Sequence, residues 1–251
     1  MNERKLKQLN IVVIVTICAA FICTLVLVLA FSNRDENAIS TDNLVEYNDN
    51  WVLKSDSGTD DRIITLPAKV DGKKGDTILL MNRVPENVNK NSVLVISTRF
   101  QNIIVTINGE KIYSNGVLNN QKFMKNAVPC YNIIDIGDAS PQDVISVYIS
   151  SGYDKYSKEI NGIYFGTRGG AIWNIVKRSG ISFVLSISIL VLILVLIVSL
   201  ICMKNVNVDK MKAGYALGFV LVTVLWTLTG NPVMQLITGN TYGNYMVNMM
   251  L

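Results

Sequence analysis

Residues 103–113 read Ile-Ile-Val-Thr-Ile-Asn-Gly-Glu-Lys-Ile-Tyr, and this stretch determines the kind of fold that the polar part of the chain adopts. The β-branched residues before Asn108-Gly109 and the Ile-Tyr pair after it are typical of two paired strands. Asn-Gly favours a type I′ turn, which needs positive φ at both central residues and matches the twist of the flanking strands. The stretch therefore predicts a β-hairpin.

Further apolar runs on both sides of the hairpin have the length and composition of strands. They lie at residues 63–66, 77–81, 92–97, 131–136 and 144–149. Polar turns separate them, and no helical period of useful length interrupts them. Six to eight short strands in about 145 residues predict an all-β sandwich, with the jelly-roll type favoured.

The composition of the whole chain indicates a membrane protein. Of its 251 residues, 50% are hydrophobic and 17% are charged, whereas an ordinary soluble domain has about 25% charged residues. The apolar residues are concentrated, because residues 8–33, 179–203 and 213–251 contain no charged side chain. These segments predict membrane spans with one domain, 32–178, between them. A purely soluble enzyme, a fibrous protein and a disordered chain are excluded.

Four apolar segments are predicted to enter the membrane as helices, at 9–31, 181–203, 213–230 and 244–251. The first has about 23 residues, or roughly 35 Å of helix, which suffices to cross a bilayer. A secretory signal peptide is the competing interpretation, but the apolar core of a signal peptide usually spans only about 7–15 residues. An uncleaved anchor is therefore favoured. The chain ends inside the last segment, which predicts that it belongs to a longer protein.

Basic residues beside the apolar segments predict the orientation of the chain. The N-terminal segment 1–8 has three basic residues, and the loop 204–212 has three lysines. By the positive-inside rule both are cytoplasmic, so the domain 32–178 and the loop 231–243 lie outside. The sequence thus predicts a multi-pass membrane protein that contacts lipid and exports its β-domain.

Charge, histidine and cysteine usage exclude several kinds of chemistry. Residues 32–178 contain 17 basic and 17 acidic side chains, so the net charge of +4 comes from residues beside the spans. This charge gives no support for a nucleic-acid partner. The chain has no histidine, which excludes histidine-based catalysis and histidine metal ligands in this sequence. Cys130 is the single cysteine of the domain, so no disulfide forms within it, and the thiol is expected to be buried rather than reactive.

No nucleotide, metal or nucleophile motif is present, so neither a cofactor nor a metal is predicted. The acidic pairs 35–36 and 60–61 lie in predicted loops and are expected to be solvated turn residues. Aromatic residues near loops, with a neighbouring arginine or amide, give a better candidate for binding a small polar ligand. The candidate ligand-binding residues are Trp51, Arg99, Gln101, Tyr131, Tyr153 and Tyr156. In the alternative, structural interpretation, Trp51 and Tyr131 fill the core and Tyr153 packs at the membrane-proximal edge.

Two segments and the order of the parts form a recognisable pattern. The segments are Phe100-Gln101-Asn102-Ile103-Ile104-Val105-Thr106-Ile107-Asn108-Gly109-Glu110-Lys111-Ile112-Tyr113 and, before the second span, Gly162-Ile163-Tyr164-Phe165-Gly166. With the single N-terminal span and the aliphatic spans, they resemble the sensory half of bacterial seven-transmembrane receptors with diverse intracellular signalling modules, often GGDEF-type diguanylate cyclases. The resemblance implies a galactose-binding-like jelly roll, a place in the bacterial cell membrane and a cytoplasmic output domain beyond this sequence, which contains no GGDEF motif.

Two classes of function remain open from the sequence. The first is a membrane receptor that senses a small polar ligand, such as a carbohydrate, or an envelope protein, and relays the signal through its spans. The second is a membrane-anchored protein that acts on carbohydrate, which needs two carboxylates about 5–10 Å apart, or that assembles the envelope. Several spans favour the receptor, since an enzyme needs only one anchor. The receptor interpretation assigns no catalytic activity to this chain and leaves open whether it forms a homodimer.

Overall fold

The computed structural model describes residues 44–54, 61–116, 127–202 and 210–251. They belong to two compact units, of which Ile39–Asn174 contains the strands and Ile175–Leu251 contains most of the helical residues. The predicted first span, 9–31, lies outside the described residues.

Twelve strands form the first unit in the described part of the chain. In order they are β1 (Val45–Glu46), β2 (Trp51–Lys54), β3 (Arg62–Ile64), β4 (Ala68–Lys69), β5 (Thr77–Arg83), β6 (Ser92–Thr98), β7 (Asn102–Ile107), β8 (Glu110–Asn115), β9 (Cys130–Asp135), β10 (Val144–Ser150), β11 (Glu159–Ile160) and β12 (Ile163–Thr167). Every predicted strand overlaps one of these. The strands without a sequence prediction are short, from the two residues of β1 to the five of β12.

Two antiparallel sheets share one core. The larger sheet has the order β3-β2-β5-β10-β7-β8, the smaller has the order β1-β12-β6-β9, and β4 pairs separately with β11. Along the chain, β6, β9 and β12 of the smaller sheet alternate with strands of the larger one, so the chain crosses repeatedly from layer to layer. Apolar side chains from both sheets form a single buried cluster. The prediction of a β-sandwich is confirmed.

The turn between β7 and β8 has the geometry that its sequence predicts. Ile107 pairs with Glu110, which leaves a two-residue loop. Asn108 has φ 51° and Gly109 has φ 86°, so both central residues have positive φ, as a type I′ turn requires.

Strand β6 is buried on both of its faces, which explains its continuous apolar sequence. Leu94 and Ile96 point into the core between the sheets. Val93 and Val95 lie on the other face, in a second cluster with Ala171. A strand covered on both sides needs apolar residues at every position, so the alternation of a half-exposed strand is absent.

The first long helix, α1 (Arg168–Cys202), follows β12 with no intervening residue. Thr167 caps it, since its Oγ1 accepts a hydrogen bond from the Gly170 N–H at 3.1 Å. Arg168 Nη2 lies 2.7 Å from Asp135 Oδ2, and the fully buried Ala171 packs against the smaller sheet. The helix thus starts thirteen residues before the predicted span 181–203. The cap and the packing of Ala171 offset the free-energy cost of about 1 kcal/mol that Gly169 and Gly170 each add to helix formation.

The second unit continues with three more helices. They are α2 (Lys210–Thr229), α3 (Pro232–Thr238) and α4 (Thr241–Met250). Ile193 of α1 is buried with Val224 and Leu228 of α2. Residues 168–198 of α1 and 212–229 of α2 are long and apolar enough to cross a membrane.

Asn231 holds the turn after α2 in place. Its side chain accepts a hydrogen bond from the Val233 N–H at 2.9 Å, which caps α3, and donates to Ser182 Oγ at 2.8 Å. The predicted external loop 231–243 therefore contains a short helix, because Asn at the N-cap and Pro at the first helical position favour a helix start.

Candidate ligand-binding site

Three aromatic rings contact one another at one end of the sandwich. The Phe100 ring centroid lies 5.1 Å from that of Tyr156 and 5.9 Å from that of Tyr153. The two tyrosine centroids are 6.3 Å apart, with their planes at 87°. Edge-to-face contacts of this kind contribute about 0.5–1.5 kcal/mol beyond the area that they bury. We call these three residues the aromatic cluster.

Two loops supply the aromatic cluster, and hydrogen bonds join them. Phe100 lies between β6 and β7, and both tyrosines lie between β10 and β11. Ser151 Oγ donates to the Phe100 carbonyl at 2.7 Å. Phe100 has φ 52°, in the left-handed region that a bulky side chain rarely adopts. The ring contacts and the Ser151 bond hold this conformation, which directs the Phe100 ring toward the tyrosines.

Gln101 fastens the two loops from inside. Its side chain is 3% exposed, and Nε2 donates to the carbonyls of Tyr156 at 2.7 Å and Glu159 at 2.6 Å. The amide is thus used to hold the loop that carries the tyrosines. The sequence predicts Gln101 as a ligand contact, whereas in the structure its amide nitrogen bonds to the backbone and positions the loop of the tyrosines.

A third loop, residues 70–76, joins the same end. Its backbone N–H groups donate to the 151–158 loop: Lys74 to Asp154 Oδ1 at 3.0 Å, Gly75 to the Ser151 carbonyl at 2.8 Å and Val70 to the Lys158 carbonyl at 2.9 Å. We call the three loops 70–76, 99–101 and 151–158 the aromatic end of the sandwich.

The aromatic cluster offers a platform rather than a cage. Its centroid separations show rings in contact with one another, which leaves no space between them for a ligand atom. Tyr153 is 47% exposed and presents its surface to solvent. Lys155 Nζ lies 5.6 Å from the centroid of the Tyr156 ring, within cation–π range. A ligand would stack on the outside of the cluster, beside this cation.

The structure brings four of the six predicted residues to this end, namely Arg99, Gln101, Tyr153 and Tyr156, and Arg99 is exposed. Trp51 lies in the core with no exposed surface, where it reaches no ligand. Tyr131 is half-buried and packs with the Val93–Val95 cluster on the outer face of the smaller sheet. Both residues therefore have packing roles, as in the structural interpretation. Trp51 lies in the core between the sheets, whereas Tyr131 packs on the outer face.

Sequence reasoning missed Phe100 and Lys155. Phe100 lies between two predicted ligand contacts, Arg99 and Gln101, four residues after the end of the apolar run 93–96. An aromatic residue at the end of a strand is a usable signal for a loop contact. The sequence around Phe100 does not indicate its left-handed backbone conformation. The Phe100 carbonyl bonds to Ser151, which lies about fifty residues away in the sequence.

A cluster of polar side chains, separate from the aromatic cluster, lies around the buried Asn132. Cys130 is buried there, and burial raises the pKa of its thiol. Burial also raises the pKa of Tyr113 to about 12. A protonated, enclosed thiol is a poor nucleophile, so this cluster is structural, and the expectation of a buried Cys130 agrees with its position.

Among the described residues there is no group of three or more carboxylate or thiol side chains placed to hold a metal ion. Of the acidic pairs, Asp61 forms an ion pair with Lys54. Its neighbour Asp60 and the pair 35–36 lie outside the described residues. The aromatic end therefore remains the candidate site.

We expect Gln101→Met to loosen the 151–158 loop without unfolding the sandwich. The substitution keeps the length of the side chain but leaves the carbonyls of Tyr156 and Glu159 unpaired. The Tyr156 and Ser157 N–H groups, which bond within this loop, should exchange with solvent about tenfold faster, equivalent to about 1.4 kcal/mol. Hydrogen exchange measures this, with Gln142→Met at an exposed loop position as the matched control. Equal exchange in both variants would contradict the positioning role.

No protein family and no curated protein matches the sequence. Among solved structures, the chain is similar to a GH2 β-galacturonidase from Eisenbergiella tayi bound to galacturonate, with a TM-score of 0.36, 10% identity and coverage of 50% of this chain and 24% of that one. It is also similar to the β-glucuronidase of Faecalibacterium prausnitzii, with a TM-score of 0.35, 10% identity and coverage of 53% and 33%. A β-glucuronidase from Ruminococcus gnavus, in complex with uronic deoxynojirimycin, gives a TM-score of 0.33, 12% identity and coverage of 51% and 29%.

This chain therefore spans a quarter to a third of the length of those enzymes. At such identities and TM-scores the similarity identifies neither a family nor an activity for this chain.

Proposed function

We propose that this chain is the sensory part of a receptor in a bacterial cell membrane. The sandwich, of jelly-roll type, binds a small polar ligand such as a carbohydrate outside the cell. The helices relay the bound state to a cytoplasmic output domain, for which the resemblance suggests a diguanylate cyclase. Alternation of the strands between two sheets is typical of a jelly roll and supports this part of the proposal.

The observation that carries the proposal is the junction between β12 and α1. Thr167 ends the strand and Arg168 begins the helix. The helix is long and apolar enough to cross a bilayer. A movement of β12 within the sheet therefore displaces the first turn of a candidate membrane helix, with no flexible linker to absorb it.

The aromatic end connects to this junction through one pair of strands. Loop 99–101 directly follows β6. Strand β6 pairs with β12 from Ile96–Ile163 to Ser92–Thr167, a length of about 13 Å at 3.3 Å per residue. A ligand that binds two arrangements of this loop unequally would shift the equilibrium between them, and the shift would reach α1 through β6 and β12.

The test fuses residues 1–209, which end in the loop predicted to be cytoplasmic, to a reporter cyclase domain and measures cyclase output in cells. Deletion of residues 44–167 should change the basal output at least about fivefold, the lower range of allosteric coupling. Insertion of Gly-Gly-Ser-Gly between Thr167 and Arg168 should reproduce the effect of the deletion, because it uncouples strand from helix.

The same insertion after Asn87, in an exposed loop, is the control and should leave output unchanged. Output that ignores both the deletion and the insertion at the junction would rule out signalling by this route.

A further inference from the structure

Among the described loops of the sandwich, those at the two ends differ in net charge. The aromatic end has five basic and three acidic residues, a net charge of +2. The basic residues are Lys73, Lys74, Arg99, Lys155 and Lys158. The loops of the opposite end, 84–91, 108–109 and 136–143, have one basic and three acidic residues, a net charge of −2. An anion therefore approaches the aromatic end in preference to the other.

The cations of the aromatic end have no ion-pair partner in the described part of the chain. The two ion pairs found there, Lys54–Asp61 and Arg168–Asp135, involve none of them. Two of the three carboxylates of this end accept hydrogen bonds from the backbone. Asp76 Oδ2 accepts from the Lys73 N–H at 2.7 Å, and Asp154 Oδ1 accepts from the Lys74 N–H at 3.0 Å. These two acids shape the loops, while the cationic side chains stay available.

Two of these cations adjoin the aromatic cluster. Lys155 Nζ lies over the Tyr156 ring at 5.6 Å. Arg99 is exposed and immediately precedes Phe100, whose ring contacts both tyrosines. The loop that carries Tyr153 thus also carries an ammonium group over the neighbouring Tyr156 ring, and the loop that carries Phe100 also carries an exposed arginine. This pairs an apolar stacking surface with groups that bind oxyanions.

We propose that the ligand of this site is an acidic sugar. One face of its ring stacks on Tyr153, and its carboxylate, sulfate or phosphate group binds Arg99 and Lys155. The inference rests on the proposed function, since it names the ligand class of the same site. A neutral sugar would satisfy the tyrosine but leave both cations without a counter-charge. Arginine suits this role because its planar fork binds the two oxygens of such a group together.

The test measures binding of the full chain, purified in detergent, to an array of neutral oligosaccharides and their counterparts that carry uronate, sulfate or phosphate groups. Acidic members should bind at least about tenfold more tightly than their neutral counterparts, as expected for two charge-assisted hydrogen bonds. Raising NaCl from 0.05 M to 0.5 M should reduce this preference, since salt screens exposed charges. The preferred acidic group identifies which oxyanion the site takes.

Three variants make the result specific. Arg99→Gln combined with Lys155→Gln should abolish the preference for acidic members and change neutral binding less than about twofold. Lys90→Gln removes a cation from the opposite end and should change nothing. Tyr153→Ala should weaken binding of acidic and neutral members alike.

The possible failures point to different conclusions. Equal binding of acidic and neutral members that ignores the double variant overturns the acidic-sugar proposal and leaves the site in place. Absence of binding to every glycan also overturns it, while the reporter fusion decides separately whether the chain signals.

Discussion

Trp51→Ala should lower the free energy of unfolding of the sandwich by about 3–5 kcal/mol, the usual cost of truncating a buried tryptophan. The side chain has no exposed surface and lies in the core between the sheets. Its Nε1–H donates to the Tyr47 carbonyl at 2.7 Å, and its ring meets the Tyr47 ring edge-on at 5.5 Å. The truncation removes both contacts and leaves a cavity that a sheet on each side cannot close.

Urea unfolding of a fragment with residues 39–174, followed by the β signal in circular dichroism, measures this effect. Tyr153→Ala is the matched control, because it removes an aromatic ring that is 47% exposed and should cost only about 1–2 kcal/mol, from its two ring contacts. Similar stability losses in the two variants would contradict the division into a core aromatic and a surface aromatic.

Asn132→Ala should cost about 2–4 kcal/mol, because it removes a buried amide with five partners, one of which is the Cys130 thiol at 3.5 Å from Oδ1. Its Nδ2 donates to the Ile96 carbonyl and to Thr98 Oγ1, both at 2.9 Å. Its Oδ1 accepts from the Tyr113 hydroxyl at 3.0 Å and from Asn115 Nδ2 at 2.9 Å. Alanine leaves these polar groups enclosed with fewer partners.

The same urea experiment applies to Asn132, with Asn87→Ala at an exposed loop position as the control. A loss below about 1 kcal/mol for Asn132→Ala would mean that the partners re-pair with one another and that the amide is not what holds them.

Local patterns were sufficient for most of the sandwich. The strands around residues 77–81, 92–97 and 144–149 follow from β-branched runs, and the β7–β8 turn follows from Asn108-Gly109. These signals arise within a few residues, so the sequence contains them directly. Strands such as β1 and β11, of two residues each, exist only because partners far along the chain pair with them.

The candidate site shows the same limit more sharply. Residue type and loop position pointed to Tyr153 and Tyr156 beside Arg99. They predict a ligand contact at Gln101 and do not reveal that its amide bonds to the loop backbone. Its partners are backbone carbonyls more than fifty residues away. Carbonyls are present at every position, and no sequence pattern marks which of them a buried amide will bind.

The start of α1 was hidden for a similar reason. Gly169-Gly170 is typical of a linker, since glycine disfavours helices. A helix nevertheless begins here, because Thr167 caps it. In addition, Arg168 forms an ion pair with Asp135, which lies on β9. Only the first of these signals is visible along the chain.

The hydrogen bonds of Asn132 also bear on self-association. They join β9, at the margin of the smaller sheet, to β8, at the margin of the larger one. Strands at such margins have unpaired backbone groups, on which a strand from another molecule can add. The amide closes one side of the sandwich by tying its two margins together. We therefore expect that loss of this amide would let the two edge strands separate and would make strand addition from another molecule easier.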